Sequence, residues 1–347
     1  MMLNRSLLGL LLGLCLSLFH PSPVLAGSTL RVMAWPGYAD PDFVQAFEQR
    51  YNVKVEVTFI NSDDDMWERL SARQGNNFDV FAVNTAELQR YIDAGISVPI
   101  DPADIPNTAN QLPRFRNLAA IPGLVRDGKV YAIPYTYSEM GLIYNRKDFN
   151  SPPDSFAAMW DNQYKGRVLA YQASEHNFSL AAMVLGLKDP FDIPDADFSR
   201  VSRKLVELRR NVLTFYNSPE EATRLYMHND IALVFGNYGT QQVDQLQKAG
   251  ADIGYVIPKE GALAWLDCWS ITRGAENRGL AQAWINYMLE KTVSHALVER
   301  QGLSNTLEAP ANEHDADRIL WLQRVEDVDK RASLWDKIIS GNRLESF

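Results

Sequence analysis

Cysteine is almost missing from this chain: two residues in 347. Cys15 lies inside an N-terminal apolar run and Cys268 stands alone between Asp267 and Trp269. Without the head, one thiol remains. That excludes an intramolecular disulfide and any C-x-x-C redox or zinc pair, and Cys268 reads as a packed thiol rather than a nucleophile. Histidine is also scarce, five in all. Among His176, His228, His295 and His314 no two share a helix face at ligand spacing, so no metal site is expected. There is no G-x-S-x-G, no H-E-x-x-H and no Walker loop. Gly236-Asn237-Tyr238-Gly239 reads as a turn closing a strand, not as a dinucleotide fingerprint, so no cofactor is expected. Positive charge is in deficit, 34 Lys and Arg against 43 Asp and Glu, for a net charge of −9. Such a chain is a poor nucleic-acid binder and a plausible host for a cation.

What is present begins with the head. Arg5 supplies a positive segment, Leu7 to Phe19 an apolar one, and Val24-Leu25-Ala26 a small-residue exit. This is the pattern of a cleavable export signal over residues 1–26, cut after about Ala26. The apolar run is shorter than the roughly 18 residues a spanning helix needs, and Leu14 before Cys15 argues against lipidation. An exported chain without disulfides suits a bacterial periplasm and a large, self-sufficient core. About 320 mature residues exceed a usual single core, so two domains are expected.

Apolar periodicity predicts a strand at Thr29–Ala34, a helix at Asp40–Arg50 and a strand from Val53 to Phe59. A helix capped near Asn61-Ser62-Asp63 follows, then a strand at Phe78–Val83 and a helix from Thr85 to Tyr91. The rhythm implies a parallel sheet covered by helices. Asp63-Asp64-Asp65 lacks the spacing of a calcium loop and reads as acid favouring a helix dipole. Residues 99–128 read as loop. Val130–Pro134 and Gly141–Tyr144 look like two extended segments crossing between domains, with Ala264–Thr272 the return. Helices are expected at Phe178–Leu187, Phe198–Arg210, Thr240–Ala249, Gly279–Glu290 and Val293–Arg300, and the tail with Trp321 and Trp335 should also pack as helices.

Aromatic residues gather at predicted strand ends, where open α/β sheets bind ligands: Trp35 with Tyr38, Tyr135 with Tyr137, Phe235 with Tyr238, and Trp265 with Asp267. In Trp265-Leu266-Asp267, strand alternation would turn an indole and a carboxylate the same way. An ammonium fits that pair: charge-assisted hydrogen bonds to the acid and roughly 0.5 to 2 kcal/mol of cation–π attraction from the ring. A secreted hydrolase using two carboxylates is the alternative from another class, although no acid pair is singled out.

Several strings together resemble the periplasmic spermidine/putrescine-binding proteins of ABC importers, within extracellular solute-binding protein family 1. They are Trp35-Pro36-Gly37-Tyr38, Phe78-Asp79-Val80 with Asn84-Thr85, Tyr131 to Tyr135, Asn145, and Pro258-Lys259-Glu260-Gly261 leading into Trp265-Leu266-Asp267. The resemblance implies an α/β, two-lobed periplasmic-binding-protein fold of type II, with the ligand in a cleft between lobes joined by crossing strands. Residues 27–134 plus about 262–300 would form lobe 1, and 135–261 plus about 301–347 lobe 2. It further implies a monomer without enzymatic activity that hands a small amine-bearing ligand to an inner-membrane permease. Carried over by position, Trp35 and Tyr38 would line the first lobe's wall, Asn84 and Thr85 would offer polar contacts, Trp265 would stack and Asp267 would take an ammonium. Tyr135, His176 and Phe235 complete the candidate site.

The chain departs from the family pattern at the other end of the ligand. Ala86-Glu87 follow Asn84-Thr85 where an aromatic is common, and Phe235 replaces a tryptophan. Gln172, Ala173 and His176 stand where acids serve the second amine, and a tyrosine near Gly302-Leu303-Ser304 is missing. A buried ammonium without a carboxylate costs about 3 to 5 kcal/mol. An ω-amino acid such as 4-aminobutyrate or 5-aminovalerate, with His176, Gln172 and Tyr135 donating to its far end, is therefore the alternative to putrescine or spermidine. A one-residue slip would put Glu175 in the place of His176, and Glu87 or Glu139 could also compensate.

Overall fold

The computed structural model describes residues 27–309 and 318–341. The export signal and His314 lie outside the described residues. The chain opens with β1 (Thr29–Ala34), α1 (Pro41–Tyr51), β2 (Lys54–Phe59), α2 (Asp63–Ser71), β3 (Val80–Asn84) and α3 (Thr85–Asp93). Short pieces follow, β4 (Ser97–Val98), α4 (Pro113–Arg116), β5 (Val125–Arg126) and β6 (Lys129–Val130), before the long β7 (Ala132–Asn145). Next come β8 (Val168–Tyr171), α5 (Ser174–Val184), α6 (Phe198–Asn211), β9 (Val212–Tyr216), α7 (Pro219–His228), β10 (Leu233–Gly236), α8 (Gly239–Lys248) and β11 (Ile253–Val256). The chain returns through β12 (Ala262–Thr272), α9 (Arg278–Met288), α10 (Lys291–Gln301), β13 (Ser304–Asn305), β14 (Ile319–Trp321) and α11 (Val328–Ile339).

Two sheets share β7. The first runs β2-β1-β3-β12-β7, and the second continues β7-β10-β8-β9 with β11 also on β7. Residues Ala132–Met140 of β7 pair with β12, and Gly141–Tyr144 pair with β10. At this change of partner the Tyr255 hydroxyl donates to the Glu139 carbonyl (2.7 Å) and accepts from the Gly141 N–H (3.1 Å). A Cβ on Gly141 would lie 2.6 Å from the Tyr255 ring, so glycine is what lets the phenol bridge the crossover.

Each sheet is packed on both faces. In β1, Leu30, Val32 and Ala34 face one core cluster while Met33 faces another. In β10, Leu233 and Phe235 face the large core of the second lobe, and Val234 the smaller one. Caps set the helices that border the cleft. The Ser62 hydroxyl accepts from Asp65 N (3.1 Å) to start α2, and Asn84 Oδ1 accepts from Glu87 N (2.9 Å) to start α3.

Four sequence expectations are corrected. The first sheet is mixed rather than parallel, because β12 is inserted antiparallel between β3 and β7. The two extended segments near 130–144 are one strand; thirteen consecutive residues of β7 are buried, so no alternation marks it. Trp321 lies in β14, parallel to β12, not in a helix. Residues from 301 onward were expected in lobe 2, yet β13 and β14 join the first sheet. The chain reaches the second lobe's core from Leu322 on, where Val325, Trp335 and Ile338 are buried.

Arg331 fastens this tail. It is fully buried, and all five of its N–H groups are bonded: to both oxygens of Glu326 (2.8 and 2.7 Å), the Ser179 hydroxyl (2.9 Å), and the carbonyls of Glu175 (3.1 Å) and Pro190 (3.0 Å). Arg331→Ala leaves the Glu326 carboxylate without its cation. We expect a loss of about 3 to 5 kcal/mol, read as a lower midpoint in urea unfolding; an unchanged midpoint would contradict this account.

Candidate ligand-binding cleft

The loops at the C-terminal ends of β1, β3, β8 and β10 converge between the lobes. After β1 the chain turns tightly at Trp35-Pro36-Gly37-Tyr38, with Tyr38 N donating to the Trp35 carbonyl (3.2 Å). Tyr38 is buried, and its hydroxyl donates to Asp267 Oδ2 at 2.5 Å. Its ring meets Tyr135 edge-on at 5.5 Å. Tyr135 has no partner on β12: Asp267 pairs with Thr136 and Cys268 with Pro134, leaving Tyr135 as the extra residue of a β-bulge. Bulges re-aim side chains beside sites, and this one abuts Asp267. Trp265, two residues back, is half-buried and packs against the core clusters of both lobes.

Asp267 is 6% exposed with no cation beside it among the described residues. Burial pushes its carboxyl up to about 7, opposed by the Tyr38 hydrogen bond. Across the ladder Asp267 pairs with Asn84. The Asn84 amide donates to Asp63 Oδ1 (3.1 Å), at the start of α2. Asp63 is half-buried and is pushed well above the usual carboxylate range, by burial and then by the charges of Glu87 and Asp267. Arg90 opposes that shift.

A cavity of about 590 Å³ opens here between the lobes. Asp63, Asn84 and Glu87 line one wall, and Tyr171, Glu175 and His176 the other; residues 322–325 with Trp335 close one side. His176 Nδ1–H donates to Asn237 Oδ1 (2.8 Å), and the ring stacks on Tyr171 with centroids 5.8 Å apart. Burial lowers its pKa, which leaves a neutral ring with Nε2 as an acceptor.

Of the sequence candidates, Asn84 and His176 line this cavity; Asp267, with Tyr38 on its carboxylate, lies beyond Asn84 on the neighbouring strand, and Trp35 and Trp265 are half-buried against the neighbouring cores. The other three sequence candidates sit behind the cleft. Thr85 is 1% exposed and its hydroxyl donates to the Leu322 carbonyl (2.9 Å), tying the tail to lobe 1. Tyr135 supports Tyr38 from behind. Phe235 lies in the second lobe's core, edge-on to Phe156. Asp63 and Tyr171 were not anticipated as site residues. Asp63 carries no distinguishing sequence signal, because any acid in a first helical turn looks the same.

The profile of the bacterial extracellular solute-binding protein family matches residues 42–316. The chain belongs to this family. It is therefore a solute-binding protein of the transport type rather than an enzyme, working outside the cytoplasm. Among the described residues no helix is long and apolar enough to cross a membrane. The putrescine-binding periplasmic protein PotF of Escherichia coli is 28% identical over 312 residues, 84% of this chain and 81% of that one. The spermidine/putrescine-binding periplasmic protein of the same organism is 27% identical, covering 79% and 76%. Among solved structures, the spermidine/putrescine ABC transporter substrate-binding protein PotD of Streptococcus pneumoniae superposes with a TM-score of 0.74 at 19% identity, over 91% of this chain and all of that one. The shared fold is the two-lobed one.

A carboxyl with a folded-state pKa above its unfolded value binds extra protons when folded. Stability then falls as pH rises from the ordinary carboxylate range toward about 7. Asp267→Asn keeps an acceptor for Tyr38 and removes the charge. Ligand-stripped Asp267→Asn is expected to melt above the wild type at pH 8 and level with it at pH 4. Equal melting at pH 8 would mean that Asp267 carries no desolvation penalty.

Proposed function

We propose that this chain is the periplasmic receptor of an ABC importer for polyamines of the putrescine and spermidine kind. Its residues 1–26 would be an export signal removed after about Ala26. The mature monomer would close its lobes around the ligand and deliver it to an inner-membrane permease. The observation that carries this reading is Asp267, a buried carboxylate with a phenol but no cation beside it. An ammonium supplies the missing charge, and the half-buried Trp265 offers a ring face nearby.

The far end of the cleft supports a second ammonium. Glu175 lines the cavity beside His176, with Asp63 and Glu87 on the facing wall. The neutral His176 ring can accept a hydrogen bond from an ammonium through Nε2. An ω-amino acid would instead bring its own carboxylate among these acids, so the ground for preferring it is weakened.

The test is a thermal-shift screen of ligand-stripped protein against putrescine, spermidine, 4-aminobutyrate and 5-aminovalerate, followed by calorimetry. Ligand at 100 times its dissociation constant stabilises the folded state by about 2.7 kcal/mol. Polyamines are expected to shift melting and the amino acids not; the reverse pattern overturns the polyamine reading. Asp267→Asn should weaken polyamine binding at least about tenfold, as removal of a partner from a buried charge pair does. Binding must also displace a proton from Asp267 below about pH 7. Affinity should therefore drop by up to about tenfold per pH unit as pH falls through 6, although the amines stay charged.

A further inference from the structure

Among the described residues, five carboxylates line the cavity: Asp64 and Asp336 are exposed, Asp63, Glu87 and Glu175 are half-buried, and the buried Asp267 lies beyond Asn84 on the neighbouring strand. Glu87 is served by Arg90, whose Nη2 lies 2.6 Å from its Oε2. The same guanidinium bonds the Asp63 backbone carbonyl (2.8 Å) and lies over the Trp67 ring at 4.8 Å, so its ion pair goes to Glu87 and not to the Asp63 carboxylate. The nearby Arg324 pairs with Asp93 (3.2 Å). Asp63, Glu175 and Asp267 make no ion pair among the described residues.

Asp63 is held in place. Asn84 Oδ1 is committed to the N-terminus of α3, so its amide nitrogen is what meets Asp63 Oδ1. Oδ2 has no hydrogen-bond partner among the described residues, and Asp63 lines the cavity. The Glu175 backbone is fixed by Arg331 Nη1, which donates to its carbonyl, and its Oε2 accepts from the Ser174 hydroxyl (3.5 Å). Asp267 lies beyond Asn84 on the neighbouring strand, and Asp63 feels the charges of both Asp267 and Glu175.

We infer that Asp63 determines how many positive charges the cleft accepts: with Asp267 and Glu175 it seats a triamine in preference to a diamine. This rests on the polyamine reading above. A diamine neutralises two of the three acids and leaves one without a cation among like charges. A ligand of the spermidine kind, with a third protonated nitrogen in its chain, meets all three. His176 then serves as a neutral acceptor beside Glu175 and replaces no acid.

The test is calorimetry at pH 8 with spermidine, putrescine and 4-aminobutyrate on the wild type, Asp63→Asn and Asp65→Asn. Asparagine at 63 keeps an acceptor for Asn84. Asp65 is on the same helical turn with its carboxylate on Arg69 (2.5 Å), so its variant removes an equal charge outside the cavity. The wild type should bind spermidine at least tenfold more tightly than putrescine. Asp63→Asn should erase that preference by weakening spermidine about tenfold or more and putrescine less than threefold. Asp65→Asn should change neither by more than about twofold. An equal loss for both amines in Asp63→Asn, an unchanged ratio, or a wild type that favours putrescine overturns the inference while leaving polyamine binding intact. Binding of 4-aminobutyrate alone overturns both.

Discussion

The antiparallel pairing of β7 with β12 is the constraint on which the molecule depends. It closes the first sheet, and the continuation of β7 past Met140 founds the second. The same ladder carries the bulge at Tyr135. That extra residue shifts the register at Asp267 and puts an aromatic ring behind Tyr38, whose hydroxyl meets the carboxylate. The crossover between the sheets and the setting of the Tyr38–Asp267 contact thus share one piece of backbone. Tyr255 holds the crossover by bonding to both sides of Met140.

Buried charge is treated in two opposite ways. In the scaffold it is fully paired. Asp79, 2% exposed, takes the Arg31 side chain through both oxygens (3.0 and 2.7 Å) as well as the backbone N–H groups of Arg31 and Glu276. Arg331 is satisfied at every N–H. In the cleft, Asp267 has one phenol and Asp63 one amide, and neither carboxylate makes an ion pair among the described residues. A protein that can pair Asp79 and Arg331 so completely leaves these acids bare only where something else is to supply the charge. Their raised proton affinity is the mark of that arrangement, since burial and mutual repulsion both favour the neutral form until a cation arrives.

Much of the fold was legible because its signals are local. Thr29–Ala34 was placed to the residue by its apolar run, and α2 was marked by the cap near Asn61-Ser62-Asp63. What escaped was decided by distant partners. Thirteen buried residues in β7 erase the period that would have marked one strand. Trp321 is drawn into a strand by pairing with Ala264, nearly sixty residues away in the chain. The segment 212–228 was passed over although Ser218-Pro219-Glu220-Glu221 carries a capping signature, realised by Ser218 accepting from Glu221 N (3.2 Å). In the cleft, Tyr38 and Asp267 were legible through their aromatic and acidic setting, but Asp63 was not. What sets it apart is the bond from the Asn84 amide to an otherwise ordinary first-turn acid.

The strings that carry the family resemblance turn out to be mostly scaffold. Glu260 of Pro258-Lys259-Glu260-Gly261 bonds Ser155 and the Phe156 N–H (3.2 Å), and a Cβ at Gly261, where φ is +87°, would collide with the Arg318 carbonyl. Asp79 holds Arg31, and the Asn145 amide bonds the Ile231 carbonyl (3.1 Å). These residues hold the lobes in shape whatever the cleft contains. The residues that meet the ligand space from the far side, Glu175 and His176 on α5 and Glu87 on α3, sit in first helical turns after strands. A side chain there can change without breaking a ladder or a cap. A resemblance built on the first set establishes the family firmly and says little about the solute. The identity of the solute has to be argued from charge and cavity, and there Asp63, Glu175 and Asp267, which make no ion pair among the described residues, outweigh the lost correspondence at His176.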